Sequence, residues 1–169
     1  MKHNYGIIFL LIAAAQLLIC NYLNISAYVT ISLLPALFIC FPTRFSTLTA
    51  MLAAFATGLA IDLLAEGTIG LNVFALLPVA ALRRTLCDWI FGKEISLLNE
   101  DISLRKFGVM KMTFAMFIAY ALFLLFYIAA DGGQARPFLF NLVRFGCSLV
   151  PGILISLVTA GILDPYGGR

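Results

Sequence analysis

Apolar residues in this chain come in long unbroken runs, and polar positions fall almost entirely between them. The runs cover residues 5–23, 27–41, 45–64, 69–82, 109–130 and 138–163. They are continuous rather than alternating, which predicts helices and not the strands of a membrane barrel. The run 27–41 is brief, spanning only about 22 Å as a helix, and Pro35 near its middle predicts a kink or local bilayer thinning. Three connections are short turns: 24–26, Pro42-Thr43-Arg44 and Asp131-Gly132-Gly133. The exception is 83–107, where Arg83, Arg84, Lys93, Arg105 and Lys106 stand against Asp88, Glu94, Glu100 and Asp101. Within it Ile95, Leu98 and Ile102 recur at helical spacing behind Trp89, Ile90 and Phe91. That pattern predicts an amphipathic segment over 85–107 lying at the membrane surface. The expected fold is an all-α polytopic membrane protein, one domain over 1–169 with six transmembrane helices.

Residues 48–84 hold the most informative pattern. Ala50, Ala54, Gly58, Asp62 and Glu66 fall at strict four-residue steps and form one ridge on a helix, small at its base and acidic at its top. Small residues permit close helix approach in lipid, and an acid at that depth needs a partner. The small part of the ridge serves either packing among this protein's own helices, the commoner use, or docking of a partner's single helix.

Charge fixes the expected orientation. With the N-terminus in the cytoplasm, Lys2, Arg44, Arg83, Arg84, Lys93, Arg105, Lys106 and Arg169 lie inside, and the outer connections hold Arg136. This is a positive-inside distribution, so both termini are expected in the cytoplasm. Asp62 then sits about 3 Å short of the outer end of its span, and Arg144 about 9 Å below the start of the last one. An acid at a helix C-terminus opposes the helix dipole. An Asp62–Arg144 pair bracing the third and sixth spans is therefore expected. Lys111, one turn inside its span, is placed to snorkel, and Gln16 is set for an interhelical hydrogen bond. Residues 1–20, with Lys2 and His3 ahead of an apolar run ending in Ala13-Ala14-Ala15, resemble a secretory signal. The further runs behind them favour an uncleaved first helix.

Composition narrows the function. The chain is 63% hydrophobic and 11% charged, with mean hydropathy +1.05, against about 25% charged in soluble domains. The net charge of +3 is dispersed and gives no nucleic-acid footprint. His3 is the only histidine, so neither a histidine metal site nor a Ser-His triad can be assembled. Cys20, Cys40, Cys87 and Cys147 are scattered singly and read as packed, reduced thiols. Asp62 and Glu66 stand one turn apart, a spacing open to acid–base or metal chemistry, but no second cluster of His, Asp or Glu completes such a site. GxGD, GxSG and phosphate-loop patterns are absent. A non-enzymatic protein without cofactors is expected.

The order Gly58-x-x-x-Asp62, a short turn, then Gly67-Thr68-x-Gly70-Leu71 opening the next apolar helix resembles the rod shape-determining protein MreD family of bacterial inner-membrane proteins. The specific part of the resemblance covers about 58–82, including Asn72, and the architecture of six short-looped spans covers the whole chain. The charged 83–107 connection is longer than the family pattern. The resemblance implies a membrane scaffold of the cell-elongation machinery. It would work with an MreC-like bitopic protein and through it with the actin-like filament protein MreB. A RodA-like glycosyltransferase and a class-B penicillin-binding transpeptidase belong to the same assembly. It also implies a fold similar to the substrate-capture subunits of energy-coupling-factor transporters. A capture subunit for a vitamin is accordingly the alternative function, with Asn72, Asp62, Glu66, Asn24 and Tyr22 as candidate pocket residues.

Overall fold

The computed structural model describes residues 5–22, 29–92, 102, 104–131 and 136–163 of the chain. These form α1 (Tyr5–Tyr22), α2 (Leu34–Ile39), α3 (Thr47–Ile61) running on into a π-helical turn (Asp62–Glu66), α4 (Leu71–Phe91), a single turn α5 (Leu104–Phe107), α6 (Val109–Ala130) and α7 (Phe138–Leu163). Three stretches are long and apolar enough to cross a membrane, Thr47–Ala65, Val109–Ala130 and Phe138–Leu163, and Gly6–Tyr22 is a shorter apolar helix. The protein is an all-helical membrane protein.

Its helices are arranged for an apolar solvent. On α7 the inward positions Ser148, Gly152, Ser156 and Ala160 are buried, while Val150, Leu154 and Val158 are 63%, 61% and 66% exposed. α3 repeats the arrangement, with Ala50, Ala54 and Gly58 buried and Leu48, Leu52 and Phe55 facing out. Small and polar groups inside with large apolar groups outside is the order that lipid favours, because helix association there depends on close packing rather than water exclusion. The four-residue stripe on α7 matches the ridge on α3. Packing runs α3 against α4, α4 against α6 and α6 against α7.

α2 occupies the centre. Leu34, Ala36, Leu37, Phe38 and Ile39 are completely buried, and α2 touches α1, α4, α6 and α7. Of the span expected over 27–41, the described residues 29–41 are helical only across the six of Leu34–Ile39. Pro35 lies in the first turn of α2 and starts the helix instead of kinking it. Residues 30–33 ahead of it are not helical, and five of their backbone groups are met by side chains from three helices. Gln16 of α1 accepts from Leu33 N–H (2.7 Å) and donates to the Ile31 carbonyl (3.4 Å). Tyr120 of α6 donates to the Thr30 carbonyl (2.9 Å) and accepts from Ser32 N–H (3.2 Å). Ser148 of α7 accepts from Thr30 N–H (2.9 Å). Irregular backbone at membrane depth is stable only when protein satisfies it in this way. Gly152 makes room for the arrangement, since a Cβ there would lie 2.0 Å from the Tyr120 ring.

α4 continues past the apolar run 69–82 to Phe91. Arg83, read from the sequence as part of a polar connection, is buried. Its guanidinium donates to the Phe41 carbonyl beyond the C-terminus of α2 and lies 5.6 Å from the Phe41 ring centre. A cation suits that position, where the helix dipole is negative. Residues 93–101 and 103, including Ile95 and Leu98 of the expected interfacial segment, lie outside the described residues. Ile102 is buried.

Candidate functional site

The α3–α4 joint gathers most of the residues that the sequence singles out. α4 begins at Gly70, whose φ of 98° is left-handed and which has no side chain to cap the helix. An α-helix leaves its first N–H groups without intrahelical partners. Here the cap comes from the preceding helix. Asp62 is completely buried, and its carboxylate accepts from Gly70 N–H (2.8 Å), Asn72 N–H (2.9 Å) and Val73 N–H (3.4 Å). The Asn72 side-chain amide adds a fourth donor at 2.9 Å. Asn72 and Val73 are the second and third residues of α4, the donors an ordinary N-cap side chain would satisfy. The negative carboxylate also complements the positive end of the α4 dipole.

The backbone is shaped to place that carboxylate. The π-helical turn at 62–66 ends with Gly67 N–H donating to the Asp62 carbonyl (2.8 Å), and Gly67 takes φ of 67°. One turn before Asp62, Gly58 meets the start of α4 directly. A Cβ on Gly58 would lie 2.8 Å from Val73 N and 2.9 Å from Val73 Cα. Gly58, Asp62, Gly67, Gly70 and Asn72 are thus parts of one device, a close approach followed by a transplanted helix cap. Ala50 and Ala54 continue the contact face below and have no exposed surface. Nothing is described for the Glu66 side chain.

Arg144 does not belong to this joint. It donates to Asp131 Oδ2 at the end of α6 and to Thr30 Oγ1 (3.1 Å from Nη2), and its guanidinium lies 5.7 Å from the Tyr127 ring centre. The expected Asp62–Arg144 pair is therefore replaced by two separate arrangements. Asp62 finds its compensation in α4 backbone N–H groups, and Arg144 finds a carboxylate at the end of α6. Asp131 was missed as a partner because its Gly-Gly neighbours mark it as a turn residue. The short separation of α6 and α7 along the sequence, residues 131–137, was the available signal. Reversing either Arg144 or Asp131 alone is expected to destabilise the protein by about 2–3 kcal/mol. Reversing both should recover part of that loss in a thermal melt, whereas Arg144→Asp combined with Asp62→Arg should recover none.

At the far end of α4, Cys87 is buried. Cys87 lies beyond the apolar part of α4, facing the turn at Thr43. Burial pushes its thiol up to about 11, against an opposing effect of Arg83 and a small addition from Asp88. Below pH 9 the thiol is neutral whether the chain is folded or not. Between pH 9 and about 11 only the unfolded chain ionises, so this group's contribution to stability is lost as pH rises through that window. Iodoacetamide at pH 8 should leave Cys87 unmodified in the native protein and modify it after denaturation, as peptide mass spectrometry will report.

Among the described residues no three His, Cys, Asp or Glu side chains come close enough to hold a metal ion. Comparison with known protein families, with curated proteins and with solved structures finds no significant match.

Proposed function

We propose that this protein is a non-enzymatic scaffold in the cytoplasmic membrane of a bacterium, acting in the cell-elongation complex that sustains rod shape. The observation that carries the reading is the α3–α4 joint. Gly58, Asp62, Gly67 and Gly70, which carry the resemblance to the MreD family, form one continuous unit together with Asn72. A motif used up in fixing the angle between two helices suits a protein whose product is a shaped surface. The charged groups Asp62, Arg144 and Arg83 are likewise engaged in holding helices and turns together.

In this reading the chain crosses the membrane six times with both termini in the cytoplasm. The non-helical residues before α2 and the helix α4 supply crossings beside the four apolar helices. Non-helical chain can advance up to about 3.3 Å per residue against 1.5 Å in a helix, so a short segment that is partly non-helical can reach further than a helix of the same length. The fold is proposed to be similar to that of the capture subunits of energy-coupling-factor transporters. The partners are an MreC-like bitopic protein and, through it, the MreB-like filament, a RodA-like glycosyltransferase and a class-B penicillin-binding transpeptidase.

Capture of the tagged protein from solubilised bacterial membranes tests the proposal. Co-purification of a bitopic MreC-like protein is expected, with no thermal shift from any vitamin. A specific, strong shift with one vitamin and no such partner would replace the scaffold by the alternative, a substrate-capture subunit.

A further inference from the structure

We propose that the groove between α4, α6 and α7 binds an anionic phospholipid, its headgroup at Lys111 and an acyl chain along the apolar wall. The groove has a volume of about 770 Å³ and is lined by Trp89 and Ile90 of α4, Phe114 and Phe117 of α6 and Ile153 of α7. That volume falls in the range of about 300–1,000 Å³ typical of sites for small molecules. Thr113 also borders it, with its hydroxyl donating to the Val109 carbonyl of its own helix (2.8 Å). Lys111 is the one charged residue of the lining.

The charge selects the occupant. Lys111 lies in the first turn of α6, is exposed, and makes no ion pair with a described residue. An apolar trough with a single cation, unpaired among the described residues, at the end of a membrane helix is complementary to a molecule with an apolar tail and an anionic head. A zwitterionic lipid matches the apolar wall but adds no net negative charge at Lys111. The proposal rests on the membrane reading of the chain and is independent of the rod-shape reading.

Trp89, the only tryptophan in the chain, stands in the wall of the groove and reports its occupant. The protein is reconstituted in phosphatidylcholine vesicles doped either with phosphatidylglycerol brominated on its acyl chains or with phosphatidylcholine brominated in the same way. Bromine quenches tryptophan fluorescence on contact. Half-maximal quenching is expected at an about fivefold lower mole fraction of the brominated anionic lipid, the preference one lysine supplies near a membrane surface. Lys111→Gln should abolish the preference and Lys111→Arg should keep it. Equal quenching by the two lipids overturns the proposal. So does a Trp89 that neither lipid quenches, which would assign the groove to a second copy of the chain. Flotation of the protein with the vesicles, scored on the same samples, separates the two readings. Failure to float contradicts the membrane reading itself, and flotation with equal quenching contradicts the lipid site alone.

Discussion

Gly58→Ala lowers the melting temperature of the detergent-purified protein sharply, while Gly146→Ala leaves it unchanged or slightly raised. Both glycines lie in membrane-spanning helices, and alanine is the better helix former by about 1 kcal/mol. They differ in what the new methyl group meets. At Gly146 nothing lies within 4 Å of the added Cβ. At Gly58 the added atom collides with Val73 N and Cα at 2.8 and 2.9 Å. Main-chain atoms at the first turn of a capped helix cannot rotate aside as a flexible side chain does. α3 and α4 must therefore separate, which stretches the four bonds that Asp62 makes just above. Overpacking costs about 1–3 kcal/mol, and the coupled strain on the cap places Gly58→Ala at or beyond the upper end. Gly58→Leu should yield no stable protein. A Gly58→Ala variant as stable as Gly146→Ala would show that the helices do not meet at this point.

Asp62→Ala should be equally severe, through a different term. It removes the acceptor for three backbone N–H groups and one side-chain amide, all at a buried helix start. A buried donor left without a partner costs about 1–3 kcal/mol. Relaxation and a bound water will meet some of these donors, so the expected loss is about 3 kcal/mol rather than the full sum. Asp62→Asn keeps one acceptor oxygen but turns an amide donor toward other donors, and should lose about 2 kcal/mol. The effects of Asp62→Ala and Arg144→Ala should add to within about 0.5 kcal/mol, because the two residues share no partner. A strongly non-additive cycle would restore a direct link between them.

Much of the helical framework was legible because lipid-facing helices advertise themselves. Residues 109–130 and 138–163 were marked by unbroken apolar runs, and α6 and α7 occupy Val109–Ala130 and Phe138–Leu163. The segment 27–41 misled for a physical reason. Residues buried on every side show no periodicity that separates a long helix from irregular chain followed by a short one. Its companions Gln16, Tyr120 and Ser148 lie singly in three different apolar helices. Their common purpose emerges only when the chain between them is seen to lack its own hydrogen bonds. Arg83 misled in the opposite direction, since a charge at the end of an apolar run reads as the beginning of a loop.

The α3–α4 joint was half legible. The four-residue spacing places Ala50, Ala54, Gly58 and Asp62 on one buried face, but the carboxylate at its top meets hydrogen-bond donors of α4 rather than the expected Arg144. Helix N-termini were overlooked as candidates because the search for compensation considered only charged side chains. Gly70 carried the clue: a glycine at the start of a helix leaves that helix needing a cap from elsewhere. Asn72, two residues on, then supplies both a backbone and a side-chain donor to the same carboxylate oxygen.

The scaffold reading is tested most directly by depleting the protein in its host and measuring cell width and length by microscopy. Loss of rod shape, with rounding before growth stops, is the predicted result. Expression of the wild-type protein or of Gly146→Ala should restore rods, and expression of Asp62→Ala should not. Cells that remain rods after depletion, and whose growth comes to depend on an added vitamin, would contradict the account.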